Sequence, residues 1–350
     1  MGAHIVAIDT FIKDFMPNFQ INGWSNDWFG GYPLYYFYFP LPAIITFIFN
    51  LIFPFGIAFK IMVVMSTILV VYSIEKLMRK TSNQISIYGA TAGLFYVFTE
   101  SFTIYGGNLA STLAGQFSFA YSLAFANLSI FYLIKSKNNF RFTISSIFLA
   151  LCLLSHLIPF IIYSPIYAFY WLSKKQNLNQ RILSIFIFLA LVSRWSVSLL
   201  MNLEYTTNMS YTPFSRLDDL IKKDILPIIF ILIGLLIAKH KNLIKNKTLN
   251  LFDLYIISSS ILLYFYVPEG ALWNGRLVPF FNLGIIFLFF KAVEIFIDDI
   301  NLYQQGVNVL TGLFLGGTIY CLYIFYEKWS TNQSYLNLYI PIIFLIMIFA

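Results

Sequence analysis

The carboxylate best placed to do chemistry lies in an aromatic turn near the start of the chain. Asp27 stands between Trp24 and Trp28 in the stretch NGWSNDWFGGYPLYY. Aromatic faces stack on sugar rings, so Asp27 could act as a catalytic carboxylate that orients an acceptor sugar, with Trp28 and Tyr32 supplying the rings. The alternative is a solvated aspartate in a turn, a common place for this residue type.

Polar side chains in three other stretches could bind a substrate. His4 could bind phosphate or help to hold a divalent metal, but a lone histidine is also a common structural hydrogen-bonding residue. The stretch GGNLASTLAGQ offers Asn108 and Gln116 to a sugar, because its paired glycines permit close backbone approach. The alternative for this stretch is a tight cap between two helices. His156, next to LIP, belongs either to a pocket or to packing.

Charged residues inside apolar surroundings are the remaining candidates. Arg194 interrupts an otherwise apolar segment, where a charge is expensive and usually faces a cavity or a partner. Glu269 and Arg276 bracket the stretch GALWNG. The arginines could hold a lipid phosphate through paired hydrogen bonds. Alternatively, Glu269 and Arg276 form an ion pair that closes the loop.

The composition indicates the class of fold that holds these residues in place. The 350 residues are 59% hydrophobic and only 11% charged, with a mean hydropathy of +0.76. These values predict an all-α polytopic membrane protein. The net charge of +7 comes from basic residues in short loops between apolar runs. This excess therefore indicates membrane topology, and we expect no nucleic-acid partner.

Apolar runs of spanning length predict a bundle of about ten to eleven transmembrane helices. The positive-inside rule places four basic loops in the cytoplasm: 76–80, 135–141, 174–181 and 239–247. Residues 1–56 then form an external loop, and residues 57–350 form the bundle. Prolines at 33, 40, 42 and 54 interrupt the apolar run 34–53, which we interpret as a re-entrant or interfacial helix pair. The expected location is the plasma membrane, in contact with membrane lipids.

Five motifs in order carry a resemblance to a family: GAH, GWSNDWFGGYPLYYFYFPLP, GGNLASTLAGQFSF, LSHLIP and PEGALWNGRLVPF. Together they resemble the large prokaryotic membrane proteins called pyruvoyl-tetrahydropterin-synthase-related, up to about Phe281. The expected topology in turn resembles GT-C glycosyltransferases, which have interfacial helices in the first external loop. The resemblance implies sugar transfer from a polyprenyl-phosphate lipid donor to a glycan or lipid acceptor of the cell envelope, at the outer face. A divalent metal is compatible with such chemistry, and the resemblance does not establish that one is required.

In that resemblance an acidic residue precedes the stretch MGAH, and this chain begins at Met1. We therefore expect a chain that is incomplete at both ends and inactive by itself. Two other functions stay open. A transporter or flippase would use a buried arginine and broken helices as a path, and a non-catalytic envelope assembly protein would need neither.

Overall fold

A computed structural model describes the chain in segments. These are residues 2–27, 30–81, 86–99, 104–136, 139–207, 217–221, 225, 228–229, 251–266 and 273–299. Trp28 and Glu269 lie outside the described residues, so their predicted roles stay predictions.

The described chain is mostly helical, with one small hairpin. The α-helices are α1 Gly2–Thr10, α2 Leu41–Asn50, α3 Phe55–Thr81, α4 Ser86–Phe98, α5 Leu109–Ser111, α6 Phe117–Ile134, α7 Asn139–Ser155, α8 Leu157–Ser173, α9 Leu178–Met201, α10 Leu217–Leu220, α11 Leu251–Tyr266 and α12 Val278–Asp299. Short 3-10 or π-helical turns occupy Phe11–Phe15, Met16–Asn18, Thr112–Gln116, Leu203–Tyr205 and Asn274–Leu277. Strands β1 Gly23–Ser25 and β2 Tyr32–Leu34 pair antiparallel.

Four helical segments of the described chain are long and apolar enough to cross a bilayer: Phe55–Met78, Leu109–Ile134, Leu178–Met201 and Asn274–Val293. Helices α2, α7, α8 and α11 are apolar but shorter. These features indicate an all-α membrane protein. The expected count of ten to eleven spans and the sidedness of the loops stay predictions.

Contacts divide the chain into a first unit, Met1–Lys291, and a second, Ala292–Ala350. Within the second unit, the described residues are the last turns of α12. Within the first unit, α6 is the central helix and packs against α3, α7 and α8. Almost every α6 residue is buried, and small alanine and serine side chains let neighbouring helices approach closely.

A buried hydrogen-bond chain joins three helices of this bundle. The Tyr163 hydroxyl of α8 donates to Asn127 Oδ1 of α6 at 2.6 Å, and Asn127 Nδ2 donates to Ser73 Oγ of α3 at 3.1 Å. Polar groups in an apolar interior are stabilising only when they are paired in this way. The chain therefore fixes the register of α3, α6 and α8.

The segment 34–53 differs from its prediction in one respect. It contains one helix, α2, where a helix pair was expected, and the residues before it end strand β2 and continue as a loop. Pro33 and Pro40 keep that loop from continuing a helix, whereas Pro42 is tolerated in the first turn of α2. At ten residues α2 is ~15 Å long, too short to cross a bilayer core of ~30 Å.

Candidate functional site

A cavity of about 190 Å³ lies where the N-terminal residues meet α6. Its walls come from α1, the residues around β2, the start of α2 and the start of α6. The lining residues are Ala3, His4, Ala7, Ile8, Tyr32, Leu34, Tyr35, Tyr38, Phe39, Pro42, Ala43, Phe117 and Ser118. Most of this surface is apolar, so an occupant must present hydrocarbon to it.

His4 is one of the polar groups in this wall. Its ring lies 5.0 Å from the Phe117 ring and 5.7 Å from the Tyr38 ring, measured between centroids. Burial lowers the pKa of His4, so the neutral imidazole is favoured. Neither ring nitrogen has a hydrogen-bond partner in the described part of the chain. The imidazole is therefore available to a ligand.

Tyr38 and Ser118 form a second polar spot in the cavity wall. Burial raises the pKa of the Tyr38 phenol, while the nearby Ser118 hydroxyl and the positive charge of Arg276 oppose that rise. The Ser118 side chain is buried, and its hydroxyl has no hydrogen-bond partner of ordinary geometry among the described residues. An unpaired buried hydroxyl destabilises the fold unless a ligand or water pairs with it.

Arg276 bridges the short helical turn before α12 to the loop before α5. Its Nη1 group donates to the carbonyls of Ile104 and Tyr105 and to Gln116 Oε1, at 2.8, 2.9 and 2.8 Å. The stretch 106–116 and Arg276 are therefore neighbours. Gln116 acts here as the arginine's acceptor.

The glycine pair in this loop is required by packing. Gly106 and Gly107 have positive φ values of 121° and 86°, in the region that favours glycine. A Cβ on Gly107 would lie 2.3 Å from the Tyr96 hydroxyl, and one on Gly106 would lie 2.5 Å from the Phe119 ring. Asn108 is fully buried, accepts from the Ser111 amide and donates to the Thr99 carbonyl. This arrangement supports the cap interpretation for Asn108.

His156 lies at the junction of α7 and α8, behind the cavity wall. Its ring stacks on Phe39, a lining residue, at 4.8 Å and meets Phe119 edge-on at 5.3 Å. Its Nδ1 accepts the Ile158 amide at 3.2 Å and so caps α8. Burial, followed by the charge of Arg276, holds the pKa of His156 well below its ordinary value of 6.5.

We expect acidification to destabilise the protein through His156. Because the folded pKa lies below the ordinary value, the stabilising contribution is complete above pH 6.5 and is lost as the pH falls below it. Protonation of Nδ1 also removes the acceptor that caps α8, an effect of ~1 kcal/mol. Thermal unfolding at pH 7.5 and 5.0 measures the loss of stability on acidification. The His156→Asn variant keeps a capping acceptor without titrating, so its smaller pH dependence is the expected result; a dependence equal to the wild type would contradict the assignment.

No model of a known protein family matches the chain, and no curated protein is significantly similar to it. Function must therefore be inferred from the chemistry of the residues themselves. Among the described residues, no group of three or more His, Cys, Asp and Glu side chains is placed to hold a metal ion.

Two predicted site residues lie away from the cavity. Asp27 is exposed; its Oδ2 accepts the Thr10 hydroxyl at 2.6 Å and lies 3.4 Å from the Ser25 hydroxyl. Arg194 is also exposed on α9, and its Nη2 donates to the Phe19 carbonyl at 2.6 Å. Neither Asp27 nor Arg194 lines the cavity described above. Arg194 lies on the surface of α9, where it contacts the N-terminal region through the Phe19 carbonyl.

A buried ion pair was missed by the sequence reasoning. Lys291 Nζ of α12 lies 2.5 Å from Asp253 Oδ2 of α11, and their side chains are 1% and 0% exposed. The signal was present, because each residue interrupts an apolar run and intramembrane charges usually pair with one another. Tyr38 and Ser118 gave no comparable signal, since tyrosine and serine are common throughout the apolar runs.

Proposed function

We propose that this protein is a GT-C-like glycosyltransferase that binds a polyprenyl-phosphate sugar donor at the cavity between α1, α2 and α6. The observation that carries the proposal is the combination of polar groups in that wall. His4, Ser118 and Tyr38 present an imidazole, a buried hydroxyl and a phenol in a surface that is otherwise apolar. Such a surface suits the junction between a polar head and a hydrocarbon tail.

Electrostatics also favours a phosphate near this wall. The charge of Arg276 acts on both Tyr38 and His156. A positive charge that acts on a residue of the cavity wall would also stabilise an anion bound beside that wall. In the proposed reaction, the acceptor oxygen bonds to the anomeric carbon as the bond from that carbon to the phosphate oxygen breaks. The electron pair leaves on the polyprenyl phosphate, and the acceptor proton passes to a carboxylate.

Asp27 is the candidate for that carboxylate. It is bonded to Thr10 at the end of α1, whereas His4 lies near the start of the same helix. Six residues of helix separate His4 and Thr10, a rise of ~9 Å. Because Asp27 is outside the cavity lining, this role requires the sugar of a bound donor to extend out of the cavity towards the end of α1.

The transporter or flippase remains the second candidate, because of one observation. The Asp253–Lys291 pair is buried between apolar helices, and paired intramembrane charges also occur in transport paths. Movement of the labelled lipid across liposomes without cleavage of the sugar would favour this alternative.

Binding of a radiolabelled polyprenyl-phosphate sugar to the full chain in nanodiscs tests the proposed function. We expect binding that polyprenol of the same length does not compete for, because polyprenol lacks the phosphate. Ser118→Val should weaken binding ~10-fold, equivalent to one hydrogen bond of ~1.4 kcal/mol. Ser129→Val is the matched control, since Ser129 is buried on the same helix and its hydroxyl is bonded to the Ala126 carbonyl.

Two results would contradict the proposal. One is competition by polyprenol that is as strong as competition by the phosphorylated lipid. The other is equal donor affinity in the Ser118→Val and Ser129→Val variants. Because this chain is expected to be inactive by itself, binding is the readout, and transfer of the label to an added acceptor would contradict that expectation.

A further inference from the structure

Helix α9 presents a mostly apolar surface to its surroundings. In the most apolar 18-residue stretch of α9, only 17% of the residues are buried within the protein. Leu191 and Val197, one turn to either side of Arg194, are 43% and 51% exposed. In a bilayer this face of α9 lies against lipid, and Arg194 belongs to it.

The depth of Arg194 makes its environment unusual. It lies 4.5 residues from the midpoint of Leu178–Met201, a distance of ~7 Å along the helix. The hydrocarbon core extends ~15 Å on each side of its centre. The guanidinium must therefore extend towards the interface or bring polar groups to itself.

The protein supplies only part of what this cation needs. Of its five N–H groups, one donates to the Phe19 carbonyl. No other hydrogen bond and no ion pair of Arg194 occurs within the described residues. The neighbouring Ser198 hydroxyl already accepts from Asn22 Nδ2 at 2.6 Å. A neutral carbonyl fixes the position of the guanidinium without balancing its charge.

Arg181, on the same helix, shows the contrasting case. Its guanidinium donates to the carbonyls of Trp171, Leu172 and Lys174 and lies 4.7 Å over the Trp171 ring. The chain thus surrounds Arg181 with acceptors and leaves most donors of Arg194 facing outward. The difference indicates an external anionic partner at Arg194.

We propose that Arg194 binds the phosphate group of a bilayer phospholipid on the outside of the bundle, with the acyl chains lying along the apolar face of α9. A guanidinium binds phosphate through two parallel hydrogen bonds. The exposed ring of Phe19, 81% accessible, stands beside this site as an interfacial contact. This site is separate from the cavity and does not depend on the proposed enzymatic function.

Native mass spectrometry of the delipidated full chain tests the proposal, with phosphatidylglycerol and diacylglycerol of matched acyl chains as probes. We expect one phosphatidylglycerol to bind at least tenfold more tightly than diacylglycerol. Arg194→Leu and Arg194→Gln should lose that preference, and Arg181→Leu should keep it. Thermal unfolding establishes which variants are folded. The comparison of phosphatidylglycerol with diacylglycerol on the wild-type chain tests the proposal even if a variant fails to fold.

Three results would overturn the proposal. Equal binding of diacylglycerol would show that phosphate is not recognised. Undiminished preference in both folded Arg194 variants would place the phosphate elsewhere. Displacement of phosphatidylglycerol by millimolar inorganic phosphate would identify a site for a free anion rather than for a lipid headgroup.

Discussion

Replacing Lys291 by Met is expected to lower the free energy of unfolding by ~3–5 kcal/mol, because it leaves Asp253 as a buried charge without its cation. The two side chains are 2.5 Å apart and at most 1% exposed. Asp253→Asn should have an effect of similar size by leaving the ammonium unpaired. Denaturant unfolding in detergent micelles measures both.

Removing both charges separates the pair itself from the penalty of breaking it. The double variant Asp253→Leu with Lys291→Met should recover most of the lost stability, since two apolar groups replace a desolvated pair. Lys13→Met provides a matched control from the exposed Lys13–Asp9 pair and should leave the unfolding midpoint nearly unchanged. A double variant as unstable as the worse single variant would show that these residues have essential contacts beyond each other.

Replacing Arg276 by Met is expected to affect both stability and donor binding. The substitution removes three hydrogen bonds that join the turn before α12 to the loop before α5. Hydrogen bonds from a charged donor contribute ~1.5–3 kcal/mol each and are not additive, so we expect a loss of ~3 kcal/mol. The lost positive charge should also weaken donor binding by more than tenfold.

Two variants show which of these effects belongs to the cavity. Arg181→Met also removes an arginine that is bonded to three carbonyls, but away from the cavity, so it should lower stability and leave donor affinity unchanged. Arg276→Lys keeps the charge without the planar fork and should retain more donor affinity than Arg276→Met. Equal donor affinity in the wild type and Arg276→Met would rule out a role for this charge in binding.

Local patterns predicted those parts of the structure that depend on neighbouring residues in the chain. Apolar runs predicted the helices, and prolines predicted an interruption of the run 34–53, although a helix was expected where the structure has a loop before α2. The contact between Gln116 and Arg276 joins residues 160 positions apart and was not predicted by any local pattern.

The places of the site residues and of the buried ion pair depend on contacts between distant parts of the chain, which sequence periodicity does not reveal. The places of Asp27 and Arg194 depend on hydrogen bonds to Thr10 and Phe19, which are distant in sequence. Tyr38, in the loop before α2, and Ser118, at the start of α6, become a polar spot only because the fold brings them together. The partnership of Asp253 and Lys291 likewise requires the pairing of α11 with α12.

The location of a bound donor shows whether the cavity binds the lipid. A polyprenyl phosphate with a photoreactive group in its first isoprene unit would be crosslinked to the full chain in nanodiscs, and the modified peptides identified by mass spectrometry. We expect labelling of α1 near His4 and of α6 at Phe117 and Ser118, with competition by unmodified donor. Labelling that is confined to helices outside this cavity, or that polyprenol competes for equally well, would contradict it.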